Sequence, residues 1–512
     1  MVSANTPVLV GAGQFTERLD DDNYQGFSAI EIATRAAQAA LTDAGCEQLS
    51  AHIDLIATTR TFDDSVPTLA FPFGRSNNFP RSICRRLGID PEFAIWETAG
   101  GNTPQDLVIE TCQRIDQGET QAALLCGAEA ISTARHLLKL GQQVDWSETI
   151  DAQVEDRGVT IDHMVSPLEL AHGLNSPALL YGVLENARRA RLHLDREEYA
   201  RSMGELFAPF SQVAATNPYS SAVNKAYSAE ELCTPTASNR LIADPYPRLL
   251  VSRDQVNQGA ALVIISTALA DRLGIPQEHR VYLHGCASAR EKDLLERPDL
   301  SRAPSAARVA TAALDAAGIG SADIDMFDHY SCFPIAVSNV LDGLGIAATD
   351  ARPKTLTGGL CYFGGPGNNY SMHSIAEVVK ATRHKPGSVG YIGANGGFLS
   401  KYSAGIYSSA PRPFTAVDKA KIQAELDAVP SVPIAAKAEG SGTIETFTVS
   451  YGREGEPVYG VVIGRVADSG KRFIARSAKD DSATAAALLG PNTFGHAVNI
   501  RHEDGLNIFR LA

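Results

Sequence analysis

Short continuous apolar runs alternate with alanine-rich stretches of helical spacing, and that order occurs twice along the chain. Residues 7–11 (Pro-Val-Leu-Val-Gly) read as a short buried strand ending in Gly11-Ala12-Gly13. An alanine-rich helix over about 28–44 follows, then a strand at 53–58. Strand–helix–strand order predicts parallel pairing with helices on the sheet faces. The apolar run 93–96 is the next strand, and it breaks into Ala99-Gly100-Gly101. Asn102 or Thr103 caps the helix that follows, Pro104 suits its first position, and Asp106 places a carboxylate in its first turn. Leu107, Val108, Thr111, Cys112 and Ile115 fall on one face, so that face packs inward. Residues 122–129 form a further strand that runs into a glycine turn.

From about 133 to 246 the strand signal disappears, while helices are predicted at 177–194 and 196–217, the second opening on a capped acidic turn. This reads as a helical insertion laid over the sheet, with a return to it at 251–266. From Val281 the first pattern repeats: 312–318 echoes 39–45, 324–327 echoes 53–56, and 390–397 echoes the strand and turn at 124–128. A polar connector at 416–436 leads into period-two runs at 443–449, 458–465 and 472–475, which predict a small antiparallel β domain. The expected organisation is a first half at 1–275 including the insertion, a second half at 276–410, and a connector with a C-terminal β domain at 411–512.

Composition narrows the classes. A hydrophobic share of 44% with 20% charged residues fits globular domains. A net charge of −14 argues against a nucleic-acid partner, and no apolar run approaches the ~20 residues of a membrane span. Eight scattered cysteines with no C-x-x-C pair suggest reduced thiols in a cytoplasmic protein. Twelve histidines without a His-Glu-x-x-His spacing complete the expectation of a metal-free chain.

The strand–turn–helix junction at Gly100 exposes backbone N–H groups, and enzymes that form acyl intermediates place a nucleophile at such turns. Here Gly100, Gly101, Asn102 and Thr103 occupy it, with no cysteine or serine. Three more loops carry chemistry: Asp328-His329-Tyr330-Ser331-Cys332-Phe333-Pro334, the glycine-rich stretch 356–369, and Gly393-Ala394-Asn395-Gly396-Gly397-Phe398. The set resembles the thiolase superfamily over nearly all of 5–410, in its thiolase-like branch close to the sterol-carrier-protein type of thiolase. The resemblance implies an α/β thiolase fold of duplicated βαβ-type halves in α-β-α-β-α layers. The C-terminal β segment looks like the OB-type domain that accompanies such proteins. It further implies coenzyme A or an acyl-CoA as ligand, the acetyl-CoA acetyltransferase class of activity, and a place in lipid metabolism.

Family members carry a nucleophilic cysteine, a Gly-His-Pro histidine and a second cysteine; these fall on Gly100, Gly365 and Gly393. Glycine can neither attack nor ionise, so the standard ping-pong mechanism cannot run. A backbone oxyanion hole can survive, because N–H groups need no side chain. Replacement catalytic groups are sought at Cys332, His329 and Tyr330, and ligand contacts at Gly100, Gly101, Asn102, Gly365, Asn368, Gly393 and Asn395. Each has a plainer alternative: a tight turn for the glycines, a small buried hydrophobe for Cys332, a core histidine for His329, turn chemistry for Asn368. The run Arg188-Arg189-Ala190-Arg191 either reaches a CoA phosphate or forms a solvated face. Three functions stay open: a CoA-thioester acyltransferase without the standard set, a non-catalytic acyl-CoA binding or scaffolding protein, and an acyl-CoA hydratase or hydrolase using His329. Monomer and homodimer are both open.

Overall fold

The computed structural model describes residues 2–65, 71–159, 164–221 and 225–512. Gly11 and Gly13 do not end the first strand; β1 runs Pro7–Thr16. A Cβ on Gly11 would stand 2.2 Å from the Ala40 carbonyl oxygen, and one on Gly13 2.2 Å from that of Ala36. These glycines let helix α1 (Ala29–Asp43) lie directly on the strand. Ser28 and Glu31 close a capping box at its start.

The first half continues with β2 (Leu55–Thr58), α2 (Phe79–Leu87), β3 (Phe93–Trp96), α3 (Thr103–Asp116), β4 (Ala122–Ala130) and α4 (Ile131–Leu140). The expected turn in β4 is absent. Gly127 stays in the strand, where it admits Asn369 at 2.6 Å from a notional Cβ. The insertion then supplies β5 (Glu155–Asp156), α5 (Pro167–Ala171), α6 (Pro177–Leu192), α7 (Arg196–Thr216), α8 (Ala229–Cys233), β6 (Leu241–Ala243) and β7 (Tyr246–Pro247). Strand β8 (Asn257–Ser266) returns to the sheet and α9 (Thr267–Arg272) follows. The sheet order is β1-β8-β4-β2-β3-β5; β2, β3 and β4 run parallel, and β8 runs antiparallel to both its neighbours.

The second half repeats the plan with β9 (Tyr282–Arg290), α10 (Pro304–Ala317), β10 (Met326–His329), α11 (Pro334–Leu344), α12 (Tyr370–His384), β11 (Gly390–Gly396) and β12 (Lys401–Ser408), in sheet order β10-β11-β12-β9. Even the glycine contact is duplicated: a Cβ on Gly285 would meet the Ala313 carbonyl oxygen of α10 at 2.1 Å. Helices α3 and α12 lie back to back between the sheets, with Leu107, Val108 and Cys112 sharing one core with Met372, Ile375 and Val379. Helices α1 and α2 cover the outer face of the first sheet. Helices α10 and α11, joined by α6 and α7 of the insertion, cover the outer face of the second. The layering is α-β-α-β-α.

After α13 (Lys419–Asp427) come β13 (Gly440–Tyr451), β14 (Pro457–Val466), β15 (Arg472–Arg476), α14 (Ser482–Ala487), β16 (Ala497–Glu503) and β17 (Leu506–Leu511). Strand β13 pairs with both β14 and β16, and β14-β15-β17-β16 joins its two sides into a closed five-stranded barrel. One contact, β15 with β17, is parallel, so the domain departs from pure antiparallel pairing; this strand order is that of an OB fold. Closure leaves part of β13 free, and the insertion pairs with it there: Ala243 of β6 faces Ser450. The insertion is therefore not only helical. Strands this short carry too little alternation to be read from sequence. Arg472, fully buried, docks the barrel by donating to the Leu295 and Arg297 carbonyls while paired to Glu445. Among the described residues no helix is long and apolar enough to cross a membrane.

Candidate active site

Strand β3 delivers the chain to Gly100, and α3 begins three residues later. Asn102 holds the N-cap position but does not cap. Its backbone is helical (φ −78°, ψ −22°), and its amide donates to Asp106 at 2.6 Å. Thr103 instead turns back, its hydroxyl donating to the Gly100 carbonyl at 2.7 Å. The Gly100 N–H, the group expected to stay available to an oxyanion, donates to Asn368 Oδ1 at 2.9 Å. The Asn368 amide in turn donates to the Arg60 carbonyl (2.7 Å) and Ser65 Oγ (3.1 Å). Asn368 thus spends its hydrogen-bonding capacity inside the protein, and the Gly100 N–H is not free for an oxyanion.

Tyr330 lies over the next residue: a Cβ on Gly101 would be 2.5 Å from its Oη and within 2.5 Å of two ring carbons. The Tyr330 N–H donates to the Gly393 carbonyl at 2.8 Å, and its ring meets Tyr370 edge-on at 5.4 Å. Burial pushes its phenol well above the ordinary range. At Gly365 the N–H is bound to the Arg253 carbonyl (2.7 Å) and Leu360 stands 3.4 Å from a notional Cβ, so an aliphatic chain fills the space beside the glycine.

Cys332 is buried, its Sγ accepting from the Asn395 amide at 3.8 Å beside Tyr181, which stacks on Phe333 at 4.4 Å. Burial pushes the thiol up to about 12, and among the described residues no imidazole is bonded to it. A nucleophilic cysteine needs the reverse, a lowered pKa beside a cation or base. His329, the next candidate, is in β10 with its ring parallel to Phe327 (5.3 Å, 15°) and tilted against Tyr391. Burial, with a smaller push from Lys354, lowers its pKa to about 3, and neither ring nitrogen has a partner among the described residues. It is a neutral core imidazole facing Gly393, whose notional Cβ is 3.4 Å from Nδ1. Asn395 bonds Tyr181 Oη at 3.0 Å. The loops named from sequence do converge here, but their polar groups are bonded to one another or buried.

The Arg188–Arg191 run is neither a phosphate clamp nor a solvated face. Arg188 and Arg191 both bind Asp342, and Arg189 lies over the Phe494 ring of the barrel at 4.7 Å.

Residues missed in the sequence border a cavity of about 570 Å³, in the range of small-molecule sites, behind the 330–333 loop. Lys225, Arg248 and Arg253 supply cations, Tyr227 and Tyr362 aromatic faces, and Cys361 part of the wall. Among the described residues no carboxylate pairs with Arg248 or Arg253; Asp254 is engaged by Arg135 at 2.9 Å. Tyr362 is buried, and its Oη has no partner among the described residues. Cys361 Sγ lies 3.7 Å from the Ser331 and Cys332 carbonyls, so the cavity and the candidate loop share a wall. The sequence signal was faint: two arginines five apart at the return from the insertion. Among the described residues no group of three or more His, Cys, Asp or Glu side chains is arranged to hold a metal ion.

The family of the thiolase-like protein type 1 additional C-terminal domain matches residues 421–505, the barrel. No curated protein matches. A crystal structure of a monomeric SCP2-thiolase-like protein type 1 from Mycobacterium smegmatis is 44% identical, with a TM-score of 0.85 and full coverage of both chains. Human mitochondrial 3-ketoacyl-CoA thiolase (16% identity, TM-score 0.56) and the acetyl-CoA acetyltransferase of Syntrophomonas wolfei (17%, 0.54) each cover 80% of this chain and 100% of their own. At that identity they show the fold alone. The full-length match at 44% goes further: the chain belongs to the SCP2-thiolase-like protein type 1 family.

Proposed function

We propose that this protein binds coenzyme A or an acyl-CoA thioester without carrying out thiolase acyl transfer. The observation that carries the reading is the cavity edged by Lys225, Arg248 and Arg253, which abuts the 330–333 loop and offers a phosphate-bearing ligand two arginines with no carboxylate partner among the described residues. Transfer is disfavoured because each step lacks its group. Gly100 has no nucleophile and its N–H is held by Asn368; Gly365 has no imidazole; Gly393 has no thiol. A relocated acyltransferase would need Cys332 as thiolate, and a hydratase or hydrolase would need His329 to take a proton; burial opposes both. The unpaired cysteines support cytoplasmic residence as part of this reading, since thiols persist in a reducing compartment.

We also favour a monomer. The outer edge of β3 is covered by the chain's own 155–157 segment: Ile95 faces Glu155, Trp96 faces Asp156, and the Arg157 N–H reaches the Trp96 carbonyl at 3.0 Å. A covered edge cannot pair with a second copy. The M. smegmatis relative is itself described as monomeric.

Titration calorimetry with coenzyme A, alongside thiolysis of a short 3-ketoacyl-CoA, tests the reading. Micromolar binding with no thiolysis above background is expected. Absence of binding overturns the proposal; turnover lost in Cys332→Ala replaces it with a transferase whose nucleophile has moved.

A further inference from the structure

The β6–β7 hairpin belongs to two sites at once. On one side it extends the barrel: Ala243 pairs with Ser450, the Asp244 N–H donates to the Val449 carbonyl at 2.8 Å, and the Thr448 hydroxyl donates to the Asp244 carbonyl at 2.8 Å. Gly182 of α6 makes room for that contact, since a Cβ there would stand 2.5 Å from the Asp244 carbonyl oxygen. The Asn186 amide ties the same corner together, donating to Asp244 (2.8 Å) and to the Phe447 carbonyl (3.0 Å). On the other side Ile242, Arg248 and Leu249 line the basic cavity. Beside the tip, Tyr246 pairs with Ala243 and its Oη donates to Glu185 of α6 at 2.8 Å. The tip is held by the barrel and by α6 together. At the open end Arg240 donates to the Gly452 carbonyl of the barrel at 3.3 Å, and its own carbonyl accepts the Arg248 N–H at 2.9 Å, so the barrel is bonded to the segment that carries the Arg248 side of the cavity.

We infer that the C-terminal barrel sets the ligand affinity of the basic cavity through this hairpin, with Thr448 as a positioning residue. The inference rests on the acyl-CoA-binding reading. It gives the additional domain a role inside the ligand site, without any ligand contact of its own. Thr448 is fully buried, so losing its hydroxyl leaves the Asp244 carbonyl without that donor and loosens the tip.

The test uses the full chain and coenzyme A as probe. Thr448→Val should weaken binding about tenfold, a typical coupling between sites. Thr448→Ser, which keeps the donor, should bind within about twofold of wild type. Val498→Ala, a cavity in the barrel core at the opposite end of β13, where Val498 pairs with Gly442, should lower thermal stability yet leave the affinity unchanged. Should Thr448→Val fail to fold, Arg240→Ala gives the same readout, because Arg240 ties the start of the hairpin to the Gly452 carbonyl at 3.3 Å. Wild-type protein that binds no coenzyme A overturns the function and this inference together. Wild-type binding that Thr448→Val leaves intact, or that Val498→Ala weakens equally, overturns the inference alone.

Discussion

Restoring the missing nucleophile should not restore a thiolase, and Gly100→Cys shows why. A Cβ at Gly100 would stand 2.5 Å from Asn102 Oδ1 and 3.4 Å from Thr103 Cγ2, in a backbone with φ of +156°. Asn102 cannot retreat, because its Oδ1 already lies 2.1 Å from where a Cβ on Gly396 would be, and its amide is bonded to Asp106. Overpacking of this kind costs about 1–3 kcal/mol, and a side chain in a sparsely populated backbone region about 1–3 kcal/mol more. Together these predict a fall in Tm of about 2–6 °C for a chain of this size. Gly100→Ala carries the same Cβ and should lose as much, which separates packing from thiol chemistry. Neither variant should thiolyse a 3-ketoacyl-CoA: no imidazole stands at Gly365 to activate the new thiol, and the adjacent oxyanion donor is bonded to Asn368. Thermal unfolding and the loss of enolate absorbance are the two assays. Variants as stable as wild type would refute the packing argument, and turnover in Gly100→Cys would refute the claim that the surrounding groups are insufficient.

Other expectations follow from the same geometry. Arg248→Ala and Arg253→Ala should each weaken coenzyme A binding by about three- to tenfold with little change in Tm and a smaller salt dependence, read by calorimetry at two ionic strengths; unchanged affinity in both would remove the cavity from the ligand site. Arg157→Glu should replace its contacts with Glu97 (2.6 Å) and Glu110 (2.7 Å) by repulsion, detach the segment over β3, and produce concentration-dependent association in light scattering; a strict monomer would mean that this edge needs no ionic cover. His329, lowered from 6.5 to about 3, binds fewer protons folded than unfolded between those values, so its contribution to stability is lost as pH falls from about 6.5 toward 3. His329→Phe keeps the stack on Phe327, so its denaturation midpoint should drop less between pH 7 and pH 5 than that of wild type; His373, also near 3, retains its share in both proteins. Equal drops would show that His329 is not held neutral.

How far the chain could be read depended on whether a residue's role is local. The alanine-rich helices, the apolar strands and the internal repeat are local patterns, and the layers follow from them; the paired Gly11–Ala40 and Gly285–Ala313 contacts are the repeat in atomic form. The same glycines misled at the strand end, because close approach to a helix and a turn both select glycine, and only the neighbour distinguishes them. At the site, the glycines at positions 100, 365 and 393 were legible. What packs against them was not, since Asn368 reaches Gly100 across 268 positions and Tyr330 covers Gly101 from the other half. Burial hid most. Cys332 and His329 sit in the loop where chemistry would be expected, yet a residue's type does not reveal that its surroundings hold a thiol protonated and an imidazole neutral. The basic cavity escaped for the opposite reason: its cations come from segments that look like ordinary polar loops, and only the fold of the insertion against the 359–365 loop makes them converge. A glycine can therefore be read from the sequence, while only the packing around Gly100, Gly365 and Gly393 shows which side chains the fold excludes there.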